Sequence, residues 1–451
     1  MAVSLPTDLN FALKNTMAKA RSVRINVSPI QSGAPANPGD TLKFDIPTSR
    51  RGQFLNQAGS YLQLRIKNTD SAASRFALDG SGASVIQRMS VYSGGALLED
   101  VQAYNLLYNA MLDSQVSMSD RLTTFSVSGG TDQQLSTATN NFSRGGAVVS
   151  QNLQTVVNMP LLSGVLGNGC SKYLPIGAIA NDLRLELVLA PAAEALVSVS
   201  TSANYQVLEA VLILDVLELG DEAQGMIDQM TGGNYVISAE TYRNAQTVLQ
   251  SGSQQDSVLL PFRFSSIKSL LWAFRPVAAQ STTLQASLNS RFNPFEAGLQ
   301  GTSCTVQLRA GALYIPNAPI KYSAELFTEL QKAYHRFGSQ SQGSSMTWSS
   351  WSVTAPAAAI TTGDGLAAAF TTNYQNYINT LGSAFFALNL DSVSGKSELL
   401  HSGINTLNQN LFLDMTYATP LPGSGAQTRF DAFAHADMIL QIQDGVISTL
   451  M

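Results

Sequence analysis

Side chains that could do chemistry are few in this chain and poorly spaced for it. Three histidines, His335, His401 and His435, and two cysteines, Cys170 and Cys304, are all that 451 residues provide. Two imidazoles hold one metal from a helix face when they stand four residues apart, and thiols do so from CxxC or CxH spacing. Neither pattern occurs, and the cysteines fall in opposite halves. They read as small, reduced core residues, with no disulfide framework, no metal site and no cofactor. Carboxylates occur singly, with no pair marked by spacing. Gly80-Ser81-Gly82 and Gly164 to Gly169 lack both the spacing and the following helix of a phosphate or dinucleotide loop, and there is no nucleophile elbow. No catalytic residue is expected.

Composition points the same way. Only 13% of the residues are charged, so neutral polar groups must wet the surface, which suits close packing against neighbours. A net charge of -5 removes any whole-protein attraction to nucleic acid or anionic lipid. No sequence-specific nucleic-acid binding is expected. Asp8 and the lack of a long apolar run argue against a cleaved secretion signal. The sequons Asn26-Val27-Ser28 and Asn141-Phe142-Ser143 are therefore not expected to carry glycans. Val207 to Leu219 is interrupted by Glu209, Asp215 and Glu218 and falls short of the roughly 20 residues that cross a bilayer. A soluble chain is expected.

The elements that must position any function are mostly strands. Ser22 to Ile30, Thr41 to Ile46, Ser60 to Lys67, Val85 to Tyr92, Leu183 to Leu189 and Val207 to Leu217 alternate with period two or run apolar, between Gly, Ser, Asn and Pro loops. In Leu183 to Leu189 the leucines at 183, 185, 187 and 189 share one face and Arg184 and Glu186 the other. Two helices interrupt the strands. One spans Glu99 to Asp113, with Val101, Tyr104, Leu107, Tyr108, Met111 and Leu112 on a stripe. The other spans Ser323 to Arg336, with Leu326, Phe327, Leu330 and Tyr334 on its stripe and Gly338 as the stop.

Each helix follows a strand, Val85 to Tyr92 or Thr305 to Ile315, which prompts a search for a repeat. Val85 falls on Val306, Tyr104 on Leu326, Leu185 on Leu411, Val207 near Ala432, and Thr41 to Ile46 on Ser257 to Phe264. Identity between the halves is negligible, so the repeat is one of architecture: two copies of one all-β sandwich, each with a helix in the same loop. The division expected is an arm at 1–24, a first unit at 25–219, a linker at 220–238 and a second unit at 239–451.

Particular residues resemble a family, the double jelly-roll major capsid proteins of nucleocytoplasmic large DNA viruses and their smaller relatives. Ser93-Gly94-Gly95 followed by a helix with Tyr104 and Leu107 resembles the family's strand, Gly-Gly turn and helix. Met159-Pro160-Leu161-Leu162, then Tyr173-Leu174-Pro175-Ile176 and the strand from Leu183, is similar to its paired Pro-Leu and Leu-Pro segment. Leu214 to Leu217, an acidic stretch and Tyr235-Val236-Ile237 resemble its crossing between jelly rolls. Pro261 to Trp272 and Ser402-Gly403-Ile404-Asn405-Thr406 resemble motifs of its second half. The family's Arg-rich run at the crossing is absent, replaced by Asp221 to Gln224, and no insert is large enough for a tower.

The resemblance implies an all-β chain of two tandem eight-stranded jelly rolls, each with a short helix in a loop. It implies a non-enzymatic major capsid protein whose homotrimers, six-sided in outline, tile an icosahedral shell around a double-stranded DNA genome. Implied partners are the chain itself, neighbouring trimers and minor capsid or penton proteins, in the virion and, during assembly, in the host cytoplasm or virus factory. Leu5-Pro6-Thr7-Asp8 supplies a cap, and Leu9, Phe11, Ala12, Leu13, Met17 and Ala20 line one side of a helix followed by basic residues. Phe11, Lys14, Met17, Lys19 and Arg21 are the residues expected to meet an internal membrane, a minor protein or a neighbouring trimer; packing on the chain's own sandwich is the other reading. Ser117 to Val149 and Ser339 to Thr372, with Trp348 and Trp351, are candidates for the outer surface or for contact between subunits, the tryptophans as buried anchors. The rivals are a minor capsid or vertex protein, an adhesin-like tandem sandwich and a glycan hydrolase on a jelly roll.

Overall fold

The computed structural model describes residues 20–30, 35–48, 50–70, 75–123, 125–128, 148–167, 169–198, 202–277, 288–295, 304–334, 344–346, 348–352, 383–391, 402–418, 420–421 and 427–451. In chain order the first half forms β1 (Ala20–Val27), β2 (Thr41–Ile46), β3 (Gln53–Asn68), β4 (Arg75–Leu78), β5 (Ile86–Ser93) and β6 (Ala96–Gln102). Helices α1 (Tyr104–Gln115) and α2 (Met118–Leu122) follow, then β7 (Val148–Ser150), β8 (Gln154–Met159), β9 (Leu183–Leu189), α3 (Ala192–Ala195), β10 (Leu196–Ser198) and β11 (Tyr205–Leu219). After α4 (Asp221–Thr231) come β12 (Tyr235–Leu249), β13 (Gln255–Leu260), β14 (Ile267–Pro276), β15 (Thr305–Ala310) and β16 (Leu313–Ile320). The chain ends with α5 (Ser323–Ala333), α6 (Trp348–Trp351), β17 (Phe386–Asn389), β18 (Leu411–Thr416), β19 (Thr428–Gln443) and β20 (Val446–Leu450).

Alternation in the sequence becomes alternation in burial. The four leucines of β9 are buried and the residues between them half-buried, as expected of a strand with one face on a core. On its wet face Arg184 meets Asp45 of β2 at 2.8 Å, and Glu186 meets Lys43 at 3.5 Å. In the first half the sheets run β2-β9-β5-β6 and β1-β11-β3-β8; in the second they run β13-β18-β15-β16 and β12-β19-β14-β17. Strand for strand the two orders are the same, and every pairing is antiparallel. The fold is all-β, with two tandem eight-stranded jelly rolls. A helix stands at the same place in each, α1 after β6 and α5 after β16. The matches read from pattern hold at the level of elements: β2 with β13, β5 with β15, α1 with α5, β9 with β18 and β11 with β19.

The halves differ in their additions. A small sheet β10-β4-β7 belongs to the first. In the second, β20 pairs with Ile439 to Gln443 of β19, the place along β11 that the start of β3 occupies in the first. At the centre of the second half Phe274 is ringed by Phe292, Phe295, Phe386, Tyr417 and Phe430, with ring centres 5.4 to 6.1 Å away.

The sequence reading and the structure differ at four places. The first helix begins at Tyr104, not Glu99, and Ala96 to Gln102 is a strand. Gly94 and Gly95, at φ 54° and 84°, make the tight two-residue turn that folds this segment back on β5, so the turn joins two strands before the helix. Thr305 to Ile315 is likewise a hairpin, β15 and β16. Residues 220–238 hold α4 and the start of β12, because Gly220 and Gly232 bound a helix with Asp221 and Glu222 in its first turn. The second helix ends at Ala333; Arg336 and Gly338 lie outside the described residues.

Candidate functional site

The most elaborate polar chemistry joins the two jelly rolls. Glu99, buried on β6, accepts hydrogen bonds from Ser163 Oγ, from the Gly164 N–H at 2.9 Å and, across the junction, from Thr241 Oγ1 of β12 at 2.8 Å. Burial pushes its carboxyl above the usual range, and these donors pull part of the way back. Beside it the chain at Gly169 to Ser171 runs along β12. The Ser171 N–H donates to Ser238 O and the Glu240 N–H to Gly169 O, both at 2.9 Å. This covers an edge that would otherwise present unpaired backbone groups. Gly164 sits so close to Glu240 O and Met438 Cε that a Cβ would overlap both. Only glycine lets the halves approach this far.

A second junction is ionic. Asp113, near the end of α1, accepts from Arg121 Nη1 at 2.6 Å and from Arg291 of the second half. Both guanidinium groups are buried, and Arg121 also donates to Gly80 O at 3.1 Å. The Met346 N–H donates to Asp113 O at 2.9 Å, and Arg429 meets Glu194 at 3.1 Å. Paired charges hold fixed partners in place while adding little net stability, so their effect is to set one relative position of the two bodies.

The third cluster lies within the second half. His435 Nε2 stands 2.9 Å from Glu240 Oε2, and Ser269 Oγ stands 3.3 Å from His435 Nδ1. Lys268 Nζ contacts Glu240 at 2.6 Å and Asp437 at 3.0 Å. A serine, histidine and carboxylate in sequence is the arrangement of a nucleophile and its base. Here Ser269 is buried, His435 stacks on Tyr242 with ring centres 4.7 Å apart, and Lys268 already neutralises Glu240. Two clefts on the surface, one lined by Ser28, Lys43, Arg65 and Glu209 and one by Arg51, Gln53, Asp228 and Tyr235, contain none of these groups. The arrangement ties β12, β14 and β19 together. Desolvation raises the Glu240 carboxyl, but hydrogen bonding and charge from His435 and Lys268 outweigh it and hold the group at about 2. A depressed carboxyl contributes stability in full above its ordinary 4.5, and that contribution is lost as pH falls through about 2. Urea unfolding at stepped pH is therefore expected to show a shallower acid loss in Glu240→Gln than in the wild type; equal slopes would contradict this.

Of the arm residues, Phe11, Lys14, Met17 and Lys19 lie outside the described residues. Arg21 is in β1, where pairing with Leu212 to Leu219 reaches back to Ala20 and its exposed guanidinium meets Glu218 at 2.5 Å. Arg21 and Arg24 thus lie in a strand that pairs with β11. Cys304 is buried and Cys170 half-buried beside Ala239; His335, His401 and Asn141 lie outside the described residues. Within the two long loops Trp351 is buried, donates from Nε1 to Phe385 O at 2.8 Å and packs on Phe327, while Trp348 is 43% exposed. Leu313, Tyr314 and Tyr322 of the second half are also exposed, as are Met226 and Met230 on α4. Among the described residues no helix is long and apolar enough to cross a membrane.

Neither a protein-family model nor a curated protein matches the sequence. Solved structures do match, over the whole chain. PBCV-1 VP54, fitted into a reconstruction of the virophage Sputnik, aligns with a TM-score of 0.60 at 14% identity, covering 99% of this chain and 100% of that one. The Faustovirus major capsid protein aligns with a TM-score of 0.55 at 9% identity, covering 96% and 92%. The mavirus major capsid protein aligns with a TM-score of 0.52 at 10% identity, covering 100% and 95%. At such identities the likeness is one of fold, and that fold is the double jelly roll.

Proposed function

We propose that this chain is the major capsid protein of an icosahedral double-stranded DNA virus, with a structural and not a catalytic role. The observation that carries the reading is the full-length likeness to major capsid proteins in both halves at once. The physical argument runs through the junction. Two bodies of one strand order, locked side by side by Glu99 and Asp113, give each chain two near-equivalent wedges. Three chains about a threefold axis then present six, an outline that tiles a shell from one kind of block. Exposed apolar side chains such as Leu313, Tyr314 and Tyr322 are what a lateral contact would cover.

The two bodies are assigned to residues 20–219 and 235–451, joined through α4, so that β1 and β12 each fall whole within one body. Partners proposed are further copies of the chain and minor capsid or penton proteins, in the virion. The segment before β1, with Phe11, Lys14, Met17 and Lys19, is assigned to the inner side of the shell, against a membrane or a minor protein. Negative-stain images of the purified protein are expected to show six-sided blocks with a central axis; single two-lobed particles at all concentrations would contradict the reading.

A further inference from the structure

Because both jelly rolls share one strand order, each contact between them names its own counterpart. β11 starts opposite the end of β3, at Tyr205 and Asn68, and β19 starts opposite the end of β14, at Thr428 and Pro276. Counting equally along both, Ala20 of β1 corresponds to Tyr235 of β12, since they pair with Leu219 and Ile442. Ser22, Arg24 and Asn26 then correspond to Ile237, Ala239 and Thr241. The second set is buried, facing the first jelly roll; the first set is exposed.

The covering strand has a counterpart too. β6 supplies Glu99 to Thr241, and its residues Leu98 to Val101 are buried. Glu99 lies opposite Val91 and Ile315 opposite Leu308, while Val91 and Leu308 lie opposite Leu185 and Leu413, each the third residue of β9 or β18. Ile315 of β16 is therefore the counterpart of Glu99. Ile315 to Pro319 are half-buried or exposed. One chain thus holds a filled copy of the contact, β6 on β12, and both halves of an unfilled one, β16 and β1, which its own fold keeps apart.

We propose that β16 of a second copy of this chain seats on the outward row of β1, as β6 seats on β12 within one chain. This rests on the capsid reading and specifies the seam of its trimer. The contact is head to tail, and a threefold rotation closes it, leaving no free β1 or β16. Its chemistry differs from the internal version. Ser22, Arg24 and Asn26 stand where Ile237, Ala239 and Thr241 stand inside the chain, so the seam between chains is more polar than the junction within one. A monomer can therefore stay folded and dispersed before it assembles.

The test is a cysteine pair, Asn26→Cys with Ile315→Cys, in a chain also carrying Cys170→Ser, oxidised with copper phenanthroline and run on non-reducing gels. Covalent species of two and three chains are expected, and none from either single cysteine. As a second measurement, Arg24→Glu is expected to raise the concentration at which trimers dissociate by about tenfold or more, which for a three-chain equilibrium is about a hundredfold in the dissociation constant, or about 2.8 kcal/mol per trimer, with an unchanged circular dichroism spectrum. If the wild type is a trimer, yet the pair yields only monomer bands and Arg24→Glu dissociates like the wild type, the seam lies elsewhere and this inference is overturned. If the wild type never trimerises, the capsid reading itself fails.

Discussion

Replacing Asp113 with alanine is expected to lower the free energy of unfolding by about 3–5 kcal/mol, the usual result of removing one partner from a buried ion pair. Asp113 faces Arg121 at 2.6 Å and Arg291, and those guanidinium groups are 6% and 0% exposed. Without the carboxylate two positive charges are left facing each other away from water. Because Arg291 belongs to the second jelly roll and Arg121 to the first, the repulsion acts across the junction. Asp113→Asn keeps an acceptor oxygen but loses the charge, and its loss should be smaller. Denaturant titration measures both; a loss under about 1 kcal/mol in the alanine variant, the range of an exposed pair, would show that water reaches this site.

Phe274→Ala is expected to cost about 3–5 kcal/mol as well, by a different mechanism: the lost transfer of a ring from water plus the cavity it leaves. Five aromatic rings surround Phe274. They come from β17, β19 and loops on either side, so no single shift can fill the space. Phe274→Leu retains much of the volume, and its cost should stay near about 1.5 kcal/mol or below. The same titration compares them; equal losses would mean that the ring's edge-on contacts, not its volume, carry the effect.

The repeat was legible in the sequence because burial on one face imposes period two, and β9 and β18 both display it. Two copies of one sandwich followed from matching those patterns; the double jelly roll was implied by the family resemblance of the turn and strand motifs around Gly94, Leu174 and Ile404. Leu174 and Ile404 prove structurally equivalent, each exchanging backbone hydrogen bonds with the strand start at Leu55 or Ile267. The hairpin partners β6 and β16 were hidden by length. A strand of seven or eight residues running into a helix lets one apolar stripe be read through both, which moved the helix start back to Glu99. The junction was hidden by separation: Glu99 meets Thr241, and Asp113 meets Arg291, far apart along the chain. One signal did exist. In a chain with only 13% charged residues, a carboxylate at each end of an apolar stretch, Glu99 and Asp113, marks places where burial requires a partner. Where that partner lies is decided by the packing of the two halves, which local spacing does not encode.

The central claim is that the chain is built to associate in threes. Light scattering on the protein as it elutes from a sizing column measures this directly, free of assumptions about shape. A mass near three times 48.0 kDa is the predicted result, and a mass near 48.0 kDa across the accessible concentration range would contradict the account.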